Sequence, residues 1–407
     1  MLNSNLFATW QFWWLLPLIL SLLGCFLSLW IIVPAPTWSL LPLGVCAPEI
    51  SPWLIVINAI ALTLAIGLTL TIGISLSWLS NLILFCSLLG LVLSLLPLVQ
   101  LPATNRQFAA SMERVLGTDY LENIPQDVQA QMRSQPVAIA DVFRGISRPE
   151  VRIERGIVFA SPDGVDLTLN TYRPLIEGKY PTLIIIYGGA WREGTPDSYE
   201  QFSGYMAAQN YTVIAIDYRH APQYKFPSQL EDVETALTYI RDHALDLSVD
   251  PDKMAIMGRS AGGHLASLAA YKQDAITFRA VINYYAPVNL VEGYYDPPVP
   301  DPINIHTVLE NFLGGTPEEQ LELYQQASPI NYLRPDLPPS LLIYAARDHL
   351  VQAKFGRQLY DKLRANNAAV YLEIPWAEHA FDAVFFGVSN QLALYYTERF
   401  LASTMND

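Results

Sequence analysis

The chain has 407 residues, 52% of them hydrophobic, and a formal net charge of −14. Such an acidic chain, with no cluster of Lys and Arg, excludes nucleic acid as a partner and excludes electrostatic docking on anionic lipid, so any membrane attachment must come from apolar spans. The three cysteines, Cys25, Cys46 and Cys86, fall in the first quarter with no metal-ligand spacing, and the later region needs no disulfide.

Charge is spread very unevenly. The first charged side chain is Glu49, the next is Arg106, and every Lys and Arg follows Ala103. Residues 1–102 are expected to form an all-helical transmembrane region with spans near 12–33, 53–74 and 82–101. Each run is about 20 residues, which as a helix crosses about 30 Å of hydrocarbon. The Pro-rich stretch 34–52 reads as an irregular interfacial loop, and Ser75–Asn81 as a tight turn between the last two spans. Trp10, Trp13, Trp14, Trp30, Trp53 and Trp78 sit near span ends, as an aromatic belt requires. The first run lacks a charged leader and a small-x-small cleavage site, so a retained helix is expected rather than a cleaved signal peptide. Arg106 and Arg114 follow the third span and favour a cytoplasmic catalytic region by the positive-inside rule. Residues 103–150 read as a connector. Phe108, Met112, Val115 and Leu116 recur there at helical spacing, which suits an amphipathic helix at the membrane surface or one resting on the later domain.

From Val151 to residue 407 the pattern is that of a globular α/β domain. Residues 151–174 read as two strands around the turn "SPDG". Solid apolar runs follow: "YPTLIIIYGG", "YTVIAIDYR", "KMAIMGRS", "AVINYYAP", "SLLIYAARD" and "AVYLEIPWAEH". Amphipathic stretches such as "QLEDVETALTYIRDHA" lie between them. Short apolar strands alternating with helices predict a mostly parallel sheet covered on both faces, with sites at the carboxyl edge of the strands.

Ser260 sits at such an edge, in "GRSAG", Gly258 to Gly262. The spacing has a steric cause. A sharp strand-to-helix turn exposes the serine oxygen, and bulky residues two positions away on either side would clash. A nucleophilic serine needs a base, and the base needs an orienting acid. Of the six histidines, His379 follows the last strand candidate, where the base is expected. Asp348 ends the penultimate strand and is the natural acid; an N-cap of the next helix is its competing role. The oxyanion donors are expected in "YGGAW", Tyr187 to Trp191, from the N–H groups of Gly189 and Ala190 together with Ala261. Gly188 supports the same loop.

The blocks "YGGAW", "DYRHAPQYKFPSQLEDV", "GRSAGGHLA", "YAARDHLV" and "EHAFD" resemble the α/β-hydrolase carboxylesterases, in the branch near hormone-sensitive lipase and the feruloyl-esterase-like enzymes. The resemblance covers about 151–400 and implies an eight-stranded, mostly parallel sheet with Ser260, Asp348 and His379 as the triad. It also implies a loop-bracing histidine where this chain has Tyr187, so the loop geometry is the open point. A membrane region before a "GGAW" hydrolase also resembles the prenylcysteine methylesterases. The insertion at 288–332 is a candidate substrate lid, with Trp191, Tyr294, Tyr295 and Phe312 as candidate pocket residues.

The expected activity is therefore carboxylic ester hydrolysis through an acyl-enzyme, with a small-molecule or lipid ester as substrate, the membrane as partner, and no metal or cofactor. An amidase, a peptidase or a silent binding module on the same fold is the alternative.

Overall fold

The computed structural model describes the backbone of residues 4–72, 78–272, 276–366 and 368–405, and the side chains of these except 4–12 and 72. Four helices come first: α1 (Ser4–Leu29), α2 (Leu41–Glu49), α3 (Ser51–Ile72) and α4 (Trp78–Leu116). Helices α1, α3 and α4 pack on one another. Asn58 of α3 lies at their centre. A Cβ on Gly24 of α1 or on Gly90 of α4 would come within 2.5 and 2.3 Å of its Oδ1. Its Nδ2 donates to Ser28 Oγ at 3.1 Å and to Leu54 O at 2.8 Å. Small residues admit the close approach, and the amide bonds inside the bundle.

Among the described residues, Ser51–Thr71 and Trp78–Leu116 are long and apolar enough to cross a membrane, and Trp13–Leu29 is a shorter apolar helix. In an 18-residue apolar window of each long stretch, 22% and 39% is buried within the structure. The side chain of Trp10 and the start of the 75–81 turn lie outside the described residues.

One expectation needs correction. The stretch 34–52 is not an irregular loop, because Pro42 sits in the first turn of α2, where its missing N–H has no helical partner to lose. Helix α4 carries the third apolar run on through Pro97 and Pro102 to Leu116, so the expected span and the helix expected in the connector are one element. Its distal half rests on the later domain, one of the two placements expected for it. Phe108 and Met112 are buried there, with Phe108 edge-on to Tyr396 at 5.4 Å. The Tyr396 hydroxyl donates to Asn105 Oδ1 at 2.7 Å. Two short helices, α5 (Gln126–Gln131) and α6 (Ile139–Arg144), complete the connector.

The sheet has eight strands: β1 (Arg152–Ala160), β2 (Leu167–Arg173), β3 (Tyr180–Ile186), β4 (Thr212–Ile216), β5 (Val249–Arg259), β6 (Ala280–Tyr284), β7 (Ser340–Ala345) and β8 (Ala369–Ile374). Their spatial order is β1-β2-β4-β3-β5-β6-β7-β8. Only β2 runs against its neighbours; β4 through β8 are parallel. Helices α7 (Glu200–Ala207), α8 (Ser228–Asp242), α9 (Ala261–Lys272), α13 (Ala353–Leu363) and α14 (Val388–Met405) cover it, while α10 (Leu290–Tyr295), α11 (Ile305–Leu313) and α12 (Pro317–Gln326) form the insertion. The central strands are buried on both faces, which is why they read as solid apolar runs rather than alternating ones. Register sets Ile186 of β3 beside Gly258 of β5, so the loop after β3 and the turn after β5 leave the sheet side by side.

Candidate active site

Strand β5 ends at Arg259 and α9 starts at Ala261, leaving Ser260 alone in the turn with φ +52°. A non-glycine residue holds this left-handed conformation only when its surroundings impose it. Here Ser260 N–H donates to Tyr284 O at 2.9 Å, pinning the turn to β6. A Cβ at Gly258 would lie 2.2 Å from Gly262 O, and one at Gly262 would lie 2.2 Å from Ile186 O. Both flanking glycines are therefore steric requirements of the turn.

His379 lies within hydrogen-bonding distance of both Ser260 and Asp348. Ser260 Oγ is 3.0 Å from His379 Nε2, and His379 Nδ1–H donates to Asp348 Oδ2 at 2.7 Å. The other carboxylate oxygen, Oδ1, accepts from the N–H groups of Leu350 (2.8 Å) and Val351 (2.7 Å). Asp348 thus closes the turn after β7 and holds the imidazole at the same time. Burial raises its carboxyl above the ordinary value, opposed by the His379 ring and the Val351 N–H. Glu378 ties the two loops together: it accepts from His349 N (2.7 Å), His349 Nδ1 (2.5 Å) and His379 N (3.0 Å).

The loop after β3 has three successive residues at positive φ: Gly189 (131°), Ala190 (51°) and Trp191 (57°). A Cβ at Gly189 would sit 1.9 Å from Glu193 O, so only glycine fits. Gly188 is nearly as tight, 2.7 Å from Arg259 O. Ala261 opens α9, where a first-turn N–H has no partner in its own helix. Gly188, Gly189, Ala190 and Ala261 line one cleft with Ser260 and His379.

Tyr187 stands just before this loop. Its hydroxyl donates a short hydrogen bond to Asp217, and its oxygen lies 2.9 Å from His220 Nε2, which donates to it. The ring stacks on Tyr218 at 4.5 Å. Tyr187 therefore joins the oxyanion-side loop to the loop after β4. Trp191 anchors the other end: its Nε1–H donates to His264 Nδ1 at 3.1 Å, and its ring stacks on Phe312 at 4.2 Å. His264 Nε2–H donates to Ala327 O at 2.6 Å, which fixes the tautomer. Burial lowers the His264 pKa to about 4, so the ring is neutral.

The BD-FAE family matches residues 169–363. The "probable carboxylic ester hydrolase" LipM of Mycobacterium tuberculosis is 31% identical over 225 residues, 51% of this chain and 51% of LipM. Esterase LipC of the same organism is 32% identical over 218 residues, 50% of this chain and 53% of LipC. A hyperthermophilic esterase from Pyrobaculum calidifontis superposes with a TM-score of 0.56 at 22% identity, covering 74% of this chain and 93% of that one, which supports the fold. Over this region the chain is similar to α/β-hydrolase esterases. It spans about half the length of the curated relatives it matches.

The cleft measures about 980 Å³ with its open mouth. Trp191 lines it; Tyr294, Tyr295 and Phe312 do not. On α10 the lining positions are Leu290 and Gly293, one helical turn apart, which turns the two tyrosines elsewhere. Tyr294 donates to Glu310 at 2.7 Å and Tyr295 to Glu318 at 2.6 Å, both within the insertion. Phe312 sits one layer back, behind Trp191. The insertion instead presents Ile303, Ile305, Val308 and Leu309 to the cleft.

Three features of the site escaped the sequence reading. Arg259, directly before Ser260, is fully buried in a short ion pair with Asp382, whose other oxygen accepts from the Tyr285 hydroxyl. The guanidinium lies over the rings of Tyr199 (4.0 Å) and Phe202 (4.4 Å). Tyr285 in turn packs against the His379 ring at 4.6 Å. A lone arginine ending an apolar strand and an aspartate inside "EHAFD" were the available signals. Glu378 lay in the same block. The third feature is Trp38, from the N-terminal region, which lines the cleft and which no local pattern could have placed there.

Proposed function

We propose that the chain is a membrane-anchored serine hydrolase that cleaves carboxylic esters with an apolar acyl or alcohol part. The observation that carries this reading is the continuous chain Ser260–His379–Asp348, at 3.0 and 2.7 Å, opening into a cleft with an apolar lining. In the proposed cycle His379 Nε2 takes the Ser260 proton as Oγ attacks the ester carbonyl. The carbonyl oxygen becomes an anion, held by the N–H groups of Gly189, Ala190 and Ala261. Asp348 keeps Nδ1 protonated and stabilises the imidazolium. His379 then protonates the departing alcohol, and water, activated by the same ring, releases the acid. Helices α1, α3 and α4 are the proposed anchor, supported by their length, composition and exposed apolar side chains. Arg106 and Arg114 favour a cytoplasmic site.

The test is hydrolysis of a chromogenic ester series, acetyl through palmitoyl, by the full chain in detergent. Ser260→Ala is expected to lower turnover by at least about 10³-fold on every ester. Turnover that survives Ser260→Ala, or an amide panel cleaved faster than the esters, overturns the reading.

A further inference from the structure

We propose that Trp38 is a specificity-determining wall of the cleft. The segment between α1 and α2 completes the ester site, and the substrate carries a long hydrocarbon chain that runs past this indole toward the apolar surface of the helical bundle. The proposal rests on the ester-hydrolase reading and adds where the chain lies and which part of the protein selects it.

Trp38 lines the same cleft as Ser260 and His379, yet 52% of it is exposed, so the indole stands at the mouth. Earlier in the same segment Ile32 and Val33 are exposed as well, giving an apolar surface between the cleft and α1. On the insertion, Pro298 lines the cleft and the next residue, Val299, is 89% exposed. Both contributors to the mouth are thus apolar and open. Exposed apolar surface at a pocket mouth is unusual unless something apolar covers it.

The segment that carries Trp38 is fastened to the catalytic loops. The guanidinium of Arg347, the residue before Asp348, donates a short hydrogen bond to Ile32 O. A Cβ at Gly44 of α2 would lie 4.0 Å from Cγ of Glu378, the residue that ties the His379 and Asp348 loops together. At the end of α2, Glu49 Oε2 accepts from Ser389 N at 2.7 Å. A Cβ at Gly387 would fall 2.4 Å from that oxygen, so the joint is closely fitted. Two attachments, one on each side of Trp38, hold the indole in place relative to Ser260. A fixed aromatic wall supplies contact area at little entropic cost. A short acyl group ends inside the cleft near Ser260; a long one must leave through the mouth, where Trp38 stands.

The experiment compares kcat/KM for p-nitrophenyl decanoate and p-nitrophenyl acetate with the full chain in detergent. Trp38→Ala is expected to lower the decanoate-to-acetate ratio about tenfold, equivalent to about 1.4 kcal/mol. Trp38→Phe, which keeps an aromatic wall, is expected to hold the ratio within about threefold of wild type. A Trp38→Ala ratio within about twofold of wild type, including equal losses on both esters, overturns the proposal. Should Trp38→Ala fail to accumulate, Trp38→Leu decides: a ratio below that of Trp38→Phe supports the wall, and a wild-type ratio overturns it. Ser260-dependent acetate hydrolysis with an unchanged ratio removes the role of Trp38 alone. Acetate hydrolysis indifferent to Ser260→Ala removes the ester-hydrolase reading itself.

Discussion

Glu49 is the first charge in the chain, and it is fully buried where α2 meets α14. Burial pushes its carboxyl up from 4.5 to about 8, and the nearby Asp382 adds to this; the N–H groups of Ser389 and Asn390 pull the other way. The folded protein therefore keeps a proton that the unfolded chain releases above pH 4.5. The stability contributed by the protonated acid is complete below pH 4.5 and is lost as pH rises through about 8. At 1.36 kcal/mol per pH unit, the full loss is of order 5 kcal/mol. Glu49→Gln keeps an acceptor for Ser389 and removes the titration. Followed by intrinsic fluorescence in detergent, wild type and Glu49→Gln are expected to melt together near pH 5. By pH 9 wild type should fall behind by about 10 °C, taking about 2 °C per kcal/mol for a chain of this size. Melting curves that shift in parallel from pH 5 to 9 would refute a buried, protonated Glu49.

His264 titrates in the opposite sense. Its folded pKa, lowered from 6.5 to about 4, means that its contribution is complete above pH 6.5 and is lost as pH falls toward 4. The loss is of order 3 kcal/mol, and its onset should coincide with loosening of Trp191, which donates to the neutral ring; fluorescence melts between pH 7 and 4.5 read the first, and kcat at the same pH values reads the second. Asp348→Asn keeps an acceptor for the Leu350 and Val351 N–H groups but offers an amide to His379 Nδ1–H. It should reduce kcat by about 10⁴-fold, the size seen when a triad aspartate is so replaced, with little change in melting temperature. A loss of kcat explained by unfolding would count against Asp348 as the orienting acid.

The strands were legible because a doubly covered parallel sheet leaves solid apolar runs between turn residues. Ser260, Asp348 and His379 could be picked out because each sits where such a run stops, and those ends converge at one edge of the sheet. Other features depend on information that local pattern does not carry. The third apolar run ends near 101, and nothing in local pattern says that it and the helical spacing after it belong to one helix. The helix continues to Leu116, with Phe108 edge-on to Tyr396 of α14 and Met112 buried. Tyr294 and Tyr295 drew attention by composition, but the face of α10 that meets the cleft is set by how the insertion seats on the domain. The Arg259–Asp382 pair joins residues 123 apart, and neither reveals its partner by spacing.

These contacts bear on what the N-terminal region does for the α/β domain. A tether only needs to end near the domain it holds. Here Ala35, Leu41, Val45, Phe108 and Met112 belong to the same apolar core as the central strands β3, β5 and β6. Removing residues before Val151 would strip the cover from the α14 face that holds Tyr396. It would also take the acceptor from Ser389 N–H and one wall from the cleft. Burial of apolar area and satisfaction of buried polar groups are the terms on which a domain of marginal stability depends. On that physics the helical region and the α/β domain form one packed body, with the helical region beside the His379 loop.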